Sequence, residues 1–359
     1  MSSPRPASPF RPHGGFARDV AARGREALDR ASETRFGDQA QWLRAGAAAG
    51  FGFGAYGLLL GGVGGAAAWI ALAAFGAFLL LVQLGHDAAH GTVSANRAVN
   101  RIVLFLTFAI VGVDARLWRD RHIRLHHTLV NLPGTGIDAD AVDILRLAPD
   151  KPWRWWFRFQ PLYGPLLFAL GHVSLVWIED VILLRAAHRT RQRGVATPRA
   201  MAGFVGGKLV HFALFLLLPA WALDPSWLAL GLGYLLASGV IAICFALLVV
   251  GTHVSDLALF PLPDDAGRLP HDWATHQLLT SVDWAPTNRL AVLLSGGANA
   301  HVAHHLFPGH HHRHLAMLSR IVAESAAAHG LHHRVTSFPG MIHGQWRHLI
   351  ALSRPFAAA

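Results

Sequence analysis

Four stretches of this chain, about residues 45–63, 66–84, 203–222 and 227–251, are apolar over roughly the twenty residues that a helix needs to cross a bilayer. They fall into two pairs. A glycine turn joins the first two, only ALDPS joins the last two, and neither connection contains Lys or Arg. Each pair therefore reads as a helical hairpin that leaves one side of the membrane and returns to it. The composition agrees: 53% of the 359 residues are hydrophobic and 14% are charged, where a soluble domain would be about a quarter charged.

The net charge of +10 comes mostly from arginine, since Lys151 and Lys208 are the only lysines. The positive charge lies beside apolar segments, in the N-terminal arm, in residues 97–199 and in the C-terminal third. That is the distribution of cytoplasmic loops, and it gives no reason to expect a nucleic-acid partner. The expected fold is an all-α polytopic membrane protein. Four transmembrane helices form two hairpins, and a cytoplasmic helical cap carries the functional residues. Residues 1–44 form a basic cytoplasmic arm, and residues 45–359 form the membrane domain, with cytoplasmic segments 85–202 and 252–359. Residues 16–36 read either as an amphipathic helix on the membrane surface or as a solvated arm. The runs 102–113 and 161–178 read as interfacial or re-entrant helices. PWRWWFRF at 152–159 suits a membrane-interface belt. The single cysteine, Cys244, excludes a disulfide framework and a Cys-type zinc or iron–sulfur site.

Histidine is concentrated where the apolar runs end. HDAAH follows the second run and sets His86 and His90 four apart, on one helical face. HIRLHH contributes His122, His126 and His127, and HVAHH, beyond the fourth run, contributes His301, His304 and His305. Neutral imidazole is a good ligand for iron, zinc and copper, and eight imidazoles exceed what one ion can hold, so the pattern points to two metals. His253, at the end of the fourth run, and His276, on the approach to HVAHH, are further candidate ligands. Asp87, Asn299, His312 and His314 are candidates for orienting the imidazoles. His310 and His311 read as local accidents, and His172, His188 and His211 as packing or interface residues. A non-enzymatic membrane metal or haem protein would instead place its ligands within the spans.

The boxes HDAAH, HIRLHH and HVAHH resemble those of the membrane fatty-acid desaturase family. The likeness runs from about residue 80 to 320 and includes HDAAHGTVS, HHTLVNLPGTGIDAD, RFQPLYGPLLFAL and GGANAHVAHHLFPGHHHRHLAML. The last string is close to the ending found in bacterial acyl-CoA and acyl-lipid desaturases of the linoleoyl-type, front-end branch. Many of that branch carry Gln where this chain has His301, as the omega-6 type does, so the resemblance leaves the position of the new bond open.

By position, the resemblance implies that His86, His90, His122, His126, His127, His301, His304 and His305 hold two irons, with His253 or His276 completing the set. Zinc can replace iron in a purified sample. The implied reaction sets a cis double bond into a fatty acyl chain with O₂ as co-substrate. The implied substrate is an acyl lipid, acyl-CoA or acyl-carrier protein. No fused haem domain is evident, so a ferredoxin or cytochrome b5-type donor with its reductase is expected. The implied location is the cell (inner) membrane, with both termini and the boxes cytoplasmic. Relatives with the same boxes act as hydroxylases, ketolases or acetylenases, and those remain the alternatives.

Overall fold

The computed structural model describes residues 8–31, 33–135, 143–190 and 197–355. Part of HHTLVNLPGTGIDAD, residues 136–140, lies outside them. Almost everything described is helical, in the order α1 (Gly15–Arg30), α2 (Gln39–Leu60), α3 (Ala66–His90), α4 (Arg97–Val111) and α5 (Ala115–Leu129). Then come α6 (Trp155–Arg189), α7 (Pro198–Leu223) and α8 (Trp227–Thr252). The cap contains α9 (Trp273–Thr280), α10 (Arg289–Ser295), α11 (His301–Leu306), α12 (Leu315–Ala328) and α13 (Phe338–Leu352). The only strands among the described residues are a two-residue parallel pair, in which Asp283 and Trp284 face Val335 and Thr336.

The helix starts follow from short polar side chains that accept the orphan N–H groups of a first turn. Asp38 accepts from Gln41 N, Asp114 from Arg116 N and Leu117 N, and Ser226 from Ala229 N. The two hairpins appear as α2/α3 and α7/α8. Five helices are long and apolar enough to cross a membrane: α2, α3, α6, α7 and α8. α6 is the addition to the four read from the sequence. It runs unbroken for 35 residues through Pro165 and His172 and carries the 161–178 run inside it. α4 and α5 pass the same test only together, and they meet at an angle of 104°.

The N-terminal arm departs from both sequence expectations. The apolar face of α1 packs into the cap, so it is presented neither to lipid nor to water. Phe16, Val20 and Leu28 join Phe307, Leu315, Leu318 and Val322 in one buried cluster. The segment before α1 is tied down as well: Leu269 N donates to Pro9 O at 2.7 Å and Arg11 N to His271 O at 3.1 Å.

Candidate metal centre

α3 ends on the first box, α5 carries the second, and α11 is the third. Short π-helical turns interrupt α3 at Leu81–Gly85 and α5 at His122–His126, a distortion frequent at functional sites. The wide turn in α5 lets three successive imidazoles serve two neighbouring places. Close backbone packing brings α11 up to α3: Gly296 has φ of +58°, and a Cβ there would lie 2.1 Å from the Val82 carbonyl oxygen.

Two clusters result. His86, His90, His122 and His304 form one; His126, His253, His301 and His305 form the other; within each, one nitrogen per residue lies within 4.8 Å of the rest. His127 sits between them. Its Nε2 lies 3.1 Å from His122 Nε2, and its ring is 4.6 Å from that of His304 and 4.4 Å from that of His305. In the first cluster His122 Nε2 also lies 3.1 Å from His86 Nε2 and 3.0 Å from His90 Nε2. In the second, His253 Nε2 is 2.7 Å from His301 Nε2 and 3.2 Å from His305 Nε2.

Hydrogen bonding fixes what those nitrogens carry. His253 Nδ1 donates to Thr280 O at 2.8 Å, His301 Nδ1 to Ala298 O at 3.1 Å, and His305 Nδ1 to Gln277 Oε1 at 2.6 Å. A neutral ring that donates through Nδ1 keeps a bare lone pair on Nε2. Three such lone pairs therefore converge with no proton between them, an arrangement that a cation would relieve. His304 Nε2 is buried without a hydrogen-bond partner. Burial pushes the His301, His304 and His305 imidazoles well below the ordinary histidine range, which keeps them in the neutral, metal-binding form. This donor set fits two metal ions.

Around the clusters the structure both extends and corrects the sequence reading. Asp87 does reach outward to its neighbours: its Oδ2 accepts from His312 Nδ1 at 2.5 Å, and its Oδ1 accepts from Thr92 Oγ1 at 3.3 Å. His311, set aside as an accident, is fully buried, and its Nε2 faces Asp87 Oδ2 at 3.3 Å. Its Nδ1 accepts from Arg313 N, which places the ring proton on Nε2, near Asp87 but outside hydrogen-bond geometry. Asp87 and His312 are thus hydrogen-bonded, with the His311 ring packed beside them and its Nε2 left without a hydrogen bond among the described residues.

His276 does not join the metal clusters. Its Nε2 donates to Val130 O at 2.9 Å and its Nδ1 faces His271 Nε2 at 3.2 Å, so both nitrogens are engaged elsewhere. The next residue, Gln277, is the one that touches a clustered imidazole. Asn299 touches none either: it accepts from Ser295 Oγ and donates to Ala285 O, bracing the turn before α11. His314 donates to Thr34 O at 2.9 Å and so fastens the arm rather than an imidazole.

Comparison with known proteins gives the same direction. The family model described as "Fatty acid desaturase" matches residues 63–337. The chain is 30% identical over 295 residues to an sn-1 linoleoyl-lipid 6-desaturase of Synechocystis sp., covering 79% of this chain and 78% of that protein. It is 28% identical to the protein of the same name from Arthrospira platensis, over 73% of this chain and 70% of the other. An acyl-lipid (8-3)-desaturase of Physcomitrium patens is 27% identical over 68% of this chain and 51% of that protein.

Proposed function

The chain belongs to the fatty acid desaturase family, and from that premise we propose that it is a di-iron desaturase acting on acyl chains esterified in membrane lipids. The observation that carries this reading is the convergence of nine imidazoles in and between two adjoining clusters. His86, His90, His122, His127 and His304 would hold one iron; His126, His253, His301 and His305 would hold the other. Iron bound there would supply the oxidising power to take two hydrogens from an unactivated acyl chain. O₂, two electrons from a separate ferredoxin or cytochrome b5-type carrier and two protons from solvent complete the balance, with O₂ leaving as two waters.

The protein's own share is positional. The Nδ1 bonds of His253, His301 and His305 fix each ring by its outer edge and aim the inner nitrogen. The Asp87–His312 bond sets the end of α3 against the segment after α11. Burial of the third box excludes water from an oxidant that would otherwise be wasted.

Four crossings, with the boxes and both termini cytoplasmic, are part of the same proposal. Residues at the end of α3 and just after α8 meet in adjoining clusters, so those two ends lie on one side of the membrane. The hairpin α7/α8 begins where it ends. An even number of crossings must therefore separate α3 from α7, which is met when neither α6 nor the bent α4/α5 pair crosses. Arginines at both ends of α6 favour the cytoplasmic side.

The substrate class rests on the names of the relatives, which act on acyl lipids. The test is lipid profiling by mass spectrometry in cells with and without the protein. Glycerolipid acyl chains that lose two hydrogens support the reading. Gain of one oxygen instead would assign a hydroxylase, and a change confined to acyl thioesters would overturn the lipid-bound substrate.

A further inference from the structure

Between α4 and α5 the chain turns through 104°, and α5 then delivers His122, His126 and His127. The last carbonyls of a helix have no partner within it, and at a bend this sharp the next helix supplies none. Here three consecutive carbonyls are each taken up by a side chain from a different part of the chain. His211 Nδ1 donates to Ile110 O at 2.9 Å, His172 Nε2 to Val111 O at 2.8 Å, and Lys208 Nζ to Gly112 O at 2.6 Å. The N–H beyond the bend is held too: Asp114 N donates to Asp180 Oδ2 at 2.7 Å, and Lys208 Nζ donates to the same oxygen at 2.6 Å.

The network is directional through to α8. Trp177 Nε1 donates to Tyr234 Oη at 2.7 Å, and Tyr234 lies 3.0 Å from His211 Nε2. His211 spends its proton on Ile110 O, so its Nε2 accepts from the tyrosine hydroxyl. Gly112 completes the fit. Its φ is +78°, and a Cβ there would lie 2.5 Å from the His211 ring. These groups sit apart from both metal clusters, and nothing in the chemistry of the site uses them directly.

We propose that Lys208, Asp180, His211 and His172 are positioning residues that lock the α4–α5 bend and thereby aim the second histidine box at both metal clusters. The proposal rests on the di-iron reading, because the box is what it positions. The bend also sets Trp118 of α5, whose indole packs on Phe108 of α4 at 4.9 Å and stacks on His122 at 4.4 Å and 16°. Rotation at the bend would move the indole and His122 together. A few degrees there displace a ring nitrogen more than a ten-residue lever away.

Iron content and turnover of the full-length protein, purified in detergent, test this together. Lys208→Met and His211→Leu each keep membrane insertion, but bind iron substoichiometrically and lose at least about tenfold in turnover, the scale on which orienting partners act at metal sites. His211→Gln retains both irons, because its carboxamide can still donate to Ile110 O and accept from Tyr234. Full iron and full turnover in Lys208→Met or His211→Leu would overturn the proposal, as would equal iron loss in His211→Gln and His211→Leu. Should Lys208→Met fail to insert, the His211 pair decides alone. A wild-type protein that turns over without iron, or that binds no metal when iron is supplied, refutes the di-iron reading itself, which separates the two failures.

Discussion

Asp87 and His312, 225 positions apart in sequence, meet at 2.5 Å and join the first histidine box to the segment that follows the third. Asp87 follows a clustered histidine directly, so its carboxylate fixes the end of α3 against the cap. Replacing it by Asn removes the charge that holds the His312 N–H groups beside the His311 ring. Asp87→Asn is expected to lower iron content or turnover by about 10- to 100-fold, measured as iron per chain and as lipid conversion. Unchanged values in both would release Asp87 from any role beyond packing.

His304→Ala and His126→Ala each remove one member of a different cluster. Both variants should insert in the membrane and both should lose turnover completely, since the reaction needs the two ions together. Iron per chain should fall in each. Full activity in either variant strikes that residue from the ligand set.

Neighbouring positions on α9 should behave differently. Gln277 accepts from His305 Nδ1, so Gln277→Leu is expected to weaken iron binding. His276→Ala should leave iron content intact and instead lower stability by about 1–3 kcal/mol, the cost of a stranded buried acceptor, here Val130 O. Thermal unfolding and metal analysis of the two variants would sink this assignment if their effects were exchanged.

The same histidine gives a pH signature. Burial first, and then the neighbouring His271, lower its pKa to about 4, partly offset by the bond to Val130 O. Its unfolded value is about 6.5, so between those limits the unfolded chain binds a proton that the folded chain refuses, and stability falls as pH falls. The slope from this one group approaches about 1.4 kcal/mol per pH unit. His276→Gln keeps a donor for Val130 O without titrating, and its unfolding midpoint should fall less between pH 6.5 and about 4.5. Parallel pH curves for the two proteins would rule the contribution out.

The hairpins and the clustered histidines were legible because each follows a period. Twenty apolar residues mark a span, and an imidazole every third or fourth position marks one helical face, so His86 with His90 and His301 with His305 could be paired unaided. His253 was legible by place, at the end of α8. The rest depends on contacts that no local pattern encodes. His311 lies in a run of three histidines, where spacing carries no phase, and its partner Asp87 is more than two hundred residues away. On α9 the sequence pointed to the right helix but to the wrong face: His276 turns toward Val130, while Gln277, about 100° round, turns toward the clustered His305. Asn299 was placed by proximity in sequence, yet its amide is used up by Ser295 and Ala285. For α1 the amphipathic pattern was real, but amphipathicity does not say whether lipid or protein covers the apolar face. The α4–α5 bend was missed for a similar reason, since His172, Lys208 and His211 look like stray polar residues until three carbonyls are seen to need them.

The strap at the start of the chain also sets an order of events. Arg35 O accepts from His311 N at 2.9 Å, Phe36 O from Arg313 Nε at 3.0 Å, and Thr34 O from His314 Nε2 at 2.9 Å. Residues 34–36 must therefore wait for partners made more than 270 positions later. Both hairpins are synthesised and can enter the bilayer before His301 leaves the ribosome. The clustered histidines, which run from His86 to His305, can come together only after both hairpins have been made.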